Sequence, residues 1–185
     1  MVDAYYTALK YVSNFDKIRN DRKNSLSLLG KPGAGKTYLL TAIANRLLKK
    51  GVSVLYFPWA EGFNEIKNDL SSLETRIHHM STVSVLFIDD LFKGRKEPTP
   101  FKLEQLFAII NYRYLNHLPI LVSSEKDIDQ ICDYERGNWL PDLRNVQGLH
   151  RHPEGRQEPE LSAGRWRVMA SVRRLRRRST SPGIT

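Results

Sequence analysis

A chain of 185 residues is long enough for one domain with a real core and too short for two of ordinary size. Its single cysteine, Cys132, excludes an internal disulfide framework, points to a reducing compartment and reads most simply as a small buried or half-buried residue. The net charge of +9 is unevenly spread: residues 1–136 balance at +3 with 12 Lys and 7 Arg, whereas residues 137–185 carry +6 and all ten of their basic residues are Arg. This shift marks a compositional boundary near residue 136 and removes most of the case for a nucleic-acid-binding charge over the whole chain. The first residues do not pair a basic segment with an apolar run, and no stretch reaches the roughly 18 apolar residues of a membrane span. A soluble cytoplasmic protein with no membrane partner is expected.

In chain order, Ala4, Ala8, Leu9 and Val12 have helical spacing and predict an amphipathic lead-in helix within residues 1–24. "SLSLLG" predicts a short strand ending at Gly30, and "KTYLLTAIANRLLKK", Lys36 to Lys50, a helix stopped by Gly51. "VSVLYF" follows as a buried strand, then helical "WAEGFNEIKNDL" and "SLETRIHHM", then the apolar strand "VSVLFIDD". "FKLEQLFAIINYRYL" predicts a helix, "PILVSS" a strand and "DIDQICDY" a short helix. Apolar strands alternating with helices predict parallel βαβ units, an α/β fold with helices on both faces of the sheet.

Gly30 to Thr37, "GKPGAGKT", fits the phosphate-loop pattern at every fixed position, between a predicted strand and a predicted helix. Glycines at 30, 33 and 35 let successive N–H groups turn inward around a phosphate chain, and the following helix adds partial positive charge. The candidate ATP-binding set is Gly30, Lys31, Pro32, Gly33, Ala34, Gly35, Lys36, Thr37 and Tyr38; Lys36 is expected on the β- and γ-phosphates and the Thr37 hydroxyl on Mg²⁺. The bland alternative is a glycine-rich turn with an incidental lysine. "VLFIDD" brings Asp89 and Asp90 to a strand's carboxyl end, Asp89 as the Mg²⁺-side carboxylate and Asp90 to orient or deprotonate a water. A paired Asp there can equally cap the next element. Ser123, Ser124 and Glu125 end another strand at the same edge, either sensing the γ-phosphate (Ser124 and Glu125 the candidates) or simply starting a helix.

On "GKPGAGKT", "VLFIDDLFKG", "NYRYLNHLPILVSSE" and "DIDQI", residues 1–136 resemble the AAA+ ATPases of the DnaC/DnaI helicase-loader and IstB transposase-helper group. The resemblance implies a P-loop NTPase core over residues 25–136, with Lys36 and Thr37 in Walker A, Asp89 and Asp90 in Walker B, and sensor 1 near Ser124 and Glu125. It also implies ATP and Mg²⁺ as cofactors, and as partners a replicative DNA helicase or a transposase, single-stranded DNA and further copies of the chain. A small-molecule kinase shares the phosphate loop but does not explain the double Asp together with "NYRY".

Such relatives continue with a segment like D-E-A-I-G-S-R-I-x-E-M-C, whose Arg reaches a neighbouring subunit's nucleotide, and then a last strand; here "ERGNWLPDLRNV" stands instead. A permitted coding of Gly137 to Gln147, read with its first base omitted, gives A-I-G-S-R-I-Y-E-M-C, and the single codon of Trp139 forces Gly in that frame. The expectation is a one-base frame change near residue 136, leaving residues 137–185 as a non-homologous, disordered tail and the core without its last strand. A natural basic extension, with "RRLRRR" on phosphate backbones, is the alternative. His78 and His79 adjoin and so face different sides of a helix, unlike a metal pair; Trp59 and Phe63 read as packing residues, and "KGRKEP" as a solvated basic loop.

Overall fold

The four apolar runs become four parallel strands in the computed structural model, which describes residues 2–94, 97–127, 129–131, 134 and 167–170. These are β1 (Leu26–Leu29), β2 (Val54–Pro58), β3 (Val85–Leu91) and β4 (Ile120–Ser124), in the spatial order β2-β3-β4-β1. Helices α1 (Val2–Ile18), α2 (Lys36–Lys49), α3 (Trp59–Asn68), α4 (Leu73–Thr82) and α5 (Pro100–Leu115) flank the sheet. β3 shows why both faces must be covered. Leu86 and Ile88 pack on one side with Phe63 and Ile66 of α3 and Leu106 and Ile109 of α5, while Val85 and Phe87 pack on the other with α1 and α2. Among the described residues no helix is long and apolar enough to cross a membrane.

The stripe that docks α1 is Ala4, Ala8, Tyr11, Val12 and Phe15, whereas Leu9 is 37% exposed, so the expectation for Leu9 is corrected. Positions 4, 8, 11 and 15 share one face of a 3.6-residue helix and position 9 does not. Tyr11 can join the core because its hydroxyl donates to the Asn24 carbonyl at 2.7 Å. Its burial raises the phenol pKa far above the ordinary value. Trp59 and Phe63 are packing residues as expected, both 2% exposed with rings 4.9 Å apart.

The amino edge of the sheet is held by a buried cation. Arg113 of α5, wholly inaccessible, donates to the carbonyls of Met80 (2.8 Å), Val83 (2.9 Å) and Pro119 (2.7 Å), with longer bonds to Ser81 and Ser84. It thus ties the end of α4 and the approaches to β3 and β4 to one side chain. Burial lowers its pKa to about 10, with Tyr11 opposing the shift, so the guanidinium stays charged at neutral pH.

A four-residue strand, β5 (Arg167–Ala170), lies antiparallel beside β1, with Leu26 opposite Ala170 and Leu29 opposite Arg167. The expected open edge and missing outer strand are corrected there. The free N–H and C=O groups of β1 need partners, and a short run from the tail supplies them from the opposite direction. The remainder of the tail, including Gly137 to Gln147 and "RRLRRR", lies outside the described residues, as do Cys132, Arg95 and Lys96. Of the expected helix after β4, the described residues carry its start: the Asp127 side chain accepts from the Gln130 N–H, and the Gln130 side chain accepts from the Asp127 N–H, each at 2.9 Å.

Candidate functional site

The chain turns from β1 into α2 through residues 30–35, and the turn is concave. Gly33 and Gly35 adopt φ of +73° and +80°, although a Cβ at either would meet nothing within 4 Å; conformation, not space, demands glycine. Gly35 caps α2 without a side-chain bond, which leaves the first helical N–H groups, and the partial positive charge they carry, for another partner. Lys36 is 5% exposed, and its ammonium donates to the carbonyls of Gly30 (2.8 Å) and Lys31 (2.9 Å). A cavity of about 360 Å³ opens above the turn, lined by Pro32, Gly33, Ala34, Gly35, Lys36 and Thr37 on one wall and by Asp90, Lys93 and Glu125 on the other. Tyr38 lies off this lining and is 79% exposed.

The opposite wall is built by a bulge. Ile88 pairs with Val122 and Leu91 with Ser124, so Asp89 and Asp90 together oppose the single residue Ser123. The extra residue is accommodated by Asp90 at φ 53°, a left-handed conformation that Asp tolerates better than most side chains. Facing the bulge from β4, Ser123 meets both aspartates. Its hydroxyl donates to Asp89 Oδ1 at 2.5 Å and accepts from the Asp90 N–H at 2.7 Å. Asp89 Oδ1 also accepts from the Thr37 hydroxyl at 2.9 Å, and Asp89 Oδ2 from the Tyr56 hydroxyl at 3.0 Å. Partial burial and then the hydrogen bond and charge of Asp89 push the Tyr56 phenol up to about 12, so it remains a donor at neutral pH.

Beyond the bulge, residues 90–93 make a tight turn in which the Lys93 N–H donates to the Asp90 carbonyl at 2.9 Å. The Lys93 ammonium lies 2.6 Å from Asp90 Oδ2, and that contact raises its pKa. Phe92 at φ 62° buries its ring against Trp59 and Tyr134. The Ser124 hydroxyl, wholly buried, donates to the Leu91 carbonyl at 2.7 Å and so pins this turn; of the two sensor candidates, Glu125 alone lines the cavity.

The structure therefore brings together Gly33, Gly35, Lys36, Thr37, Asp90 and Glu125 around one cavity, with Asp89 bonded to Thr37 at its side. In the sequence Ser123 stands out only as one of a trio, Tyr56 not at all, and Lys93 as part of the solvated basic loop "KGRKEP"; the structure corrects Lys93, which lines the cavity. The central position of β4 could have singled out Ser123, whereas nothing in the strand pattern announces Tyr56. The paired oxygens of Thr37 and Asp89 suit Mg²⁺, a hard cation that takes one or two protein ligands and fills its remaining positions with water and phosphate.

Residues 7–134 match the family described as IstB-like ATP binding protein. The chain is 50% identical over 131 residues to the phage-like element PBSX protein XkdC of Bacillus subtilis (strain 168), covering 69% of this chain and 49% of that protein. It is 33% identical over 129 residues to the replicative helicase loader DnaI of the same strain, covering 66% and 40%. The crystal structure of DnaI superposes with a TM-score of 0.63 at 30% identity, over 79% of this chain and 78% of that one. The chain thus spans less than half the length of these curated relatives. The expected fold, a parallel P-loop sheet flanked by helices, agrees with the strand order and with this likeness. A concave glycine turn beside paired carboxylates, on a chain matched over most of its length, makes this protein a member of the IstB-like ATP-binding family, similar in sequence to the helicase loader DnaI.

Proposed function

We infer that the chain binds ATP with Mg²⁺ in the cavity at the strand ends, and couples binding and hydrolysis to loading a replicative helicase onto single-stranded DNA in the cytoplasm. The observation that carries this reading is the junction of Thr37, Asp89 and Ser123 beside the concave turn. In it, the N–H groups of residues 33–37 and the Lys36 ammonium receive the phosphates. Thr37 and Asp89 hold the metal, whose chemistry when bound is to neutralise and align the phosphate oxygens. Ser123 and Tyr56 fix the Asp89 carboxylate. Asp90 and Glu125 face the cavity, where Asp90 orients and accepts a proton from the attacking water. The relationship to DnaI supports a helicase as partner; a transposase is the alternative that the motif resemblance implies.

A second reading, ATP binding without turnover, is favoured by one observation. The family match stops at residue 134, beside the compositional boundary at 136 and before the place where the resemblance expects an arginine that serves a neighbouring subunit. Such an arginine contributes about 10³ to 10⁵ in rate in phosphoryl transfer. Both readings are tested by measuring MgATP affinity and phosphate release for the wild-type chain and Lys36→Ala, alone and with a replicative helicase and single-stranded DNA. Lys36-dependent binding with stimulated turnover supports the loader; Lys36-dependent binding without turnover supports the second reading; binding that ignores Lys36 sinks both. The gene's nucleotides decide the frame change: a shifted frame that encodes no G-S-R segment after residue 136 ends it.

A further inference from the structure

The cavity holds two cations, one on each wall. Lys36 is buried and fixed to the turn that carries it. Lys93 sits across from it on a rigid support, because the Leu91 carbonyl is pinned by Ser124, Leu91 and Phe92 are each 6% exposed, and the turn is closed by its own N–H bond. Its side chain, by contrast, is 52% exposed and held by one ionic contact, to Asp90. A fixed base, a flexible four-carbon stem and a compact ammonium with three donors allow the charge to exchange one anion for another within reach. The only carboxylates lining the cavity among the described residues are Asp90 and Glu125.

We propose that Lys93 determines specificity for the third phosphate: with a nucleoside triphosphate in the cavity, its ammonium leaves Asp90 for the terminal phosphate. This rests on the ATP reading above. The glycine turn grips the phosphates nearer the nucleoside and Lys36 reaches the second and third, so the terminal one lies between Lys36 and the wall that carries Asp90 and Lys93. A diphosphate reaches the turn but not that wall, and leaves the Lys93–Asp90 pair intact. The exchange also frees the Asp90 carboxylate only when a third phosphate is present, which ties the availability of the water-orienting group to the substrate.

The test is equilibrium titration with MgATP and MgADP of the wild-type chain, Lys93→Met, Lys93→Arg and the double variant Lys93→Met with Asp90→Asn. Lys93→Met is expected to weaken ATP about 10-fold while ADP changes less than about twofold, the size of one charge-assisted hydrogen bond, and Lys93→Arg to keep part of the preference. The double variant is expected to remain deficient for ATP. Recovery of the wild-type ATP-to-ADP ratio in the double variant overturns the proposal, because Lys93 would then serve only to neutralise Asp90. An equal fall for both nucleotides, or none, overturns it too while leaving Lys36-dependent binding, and the ATP reading, in place. A wild-type chain that binds neither nucleotide removes the ATP reading and this assignment together.

Discussion

Two buried cations occupy opposite ends of the same sheet, and both rest on backbone carbonyls. Arg113, at the amino edge, meets five carbonyls drawn from the end of α4 and the segments entering β3 and β4. Lys36, at the carboxyl edge, meets two, both from the turn that carries it, and borders an open cavity. The guanidinium welds three segments and has little left to offer a ligand; the ammonium closes one loop and retains a third donor. Burial of positive charge thus joins segments at one end and at the other leaves a donor beside an open cavity, at the carboxyl ends of the strands where ligands of parallel sheets collect.

Arg113→Met should separate the two ends most sharply. Removing the guanidinium leaves buried carbonyls without donors, and a loss of about 4 kcal/mol in urea unfolding is expected. ATP affinity of the protein that remains folded should be unchanged; a variant that folds normally but binds poorly would erase the distinction. Lys36→Ala should do the reverse, weakening ATP about 10- to 100-fold, as loss of a charge-assisted contact implies, with unfolding altered by less than about 1 kcal/mol.

Ser123→Ala sharpens the comparison within the carboxyl edge. It strips a buried donor from Asp89 and a buried acceptor from the Asp90 N–H, so a loss of about 1–3 kcal/mol in stability is expected. The Mg²⁺ concentration needed for half-maximal ATP binding should rise at the same time, which a purely structural serine would not produce. Tyr56→Phe should be the mildest change. The side chain is 51% exposed, so stability should move by less than about 1 kcal/mol, with a small rise in the same Mg²⁺ requirement.

Much of this arrangement was legible before any coordinates. Apolar runs located all four parallel strands, since a strand buried on both faces has few residue types open to it, and the spacing of "GKPGAGKT" placed the turn and Lys36. The face of α1 differs from the aliphatic spacing at Leu9 because the aromatic residues Tyr11 and Phe15 do the packing, and they shift the buried stripe away from position 9. The bulge left no trace in the pattern, because an extra residue in one strand is defined only against its partner. Arg113 was hidden for a similar reason: its five acceptors lie in segments up to 33 residues away, and a charged residue in a helix ordinarily reads as solvated. β5 escaped because its place beside β1 depends on what that edge lacks, not on any signal within "RVMA".

The two-against-one pairing of Asp89 and Asp90 with Ser123 also lets the strand carry one residue more without losing its phase. In a regular strand an added residue would exchange inside for outside downstream, and the bulge absorbs it. Ile88 and Leu91, three residues apart, therefore pack into the same core, as residues two apart would in an unbulged strand. A chain shortened at Asp90 would still place Leu91 opposite Ser124, so the second aspartate is an insertion the sheet tolerates: what it adds is its own carboxylate at the cavity, not the facing of the residues behind it.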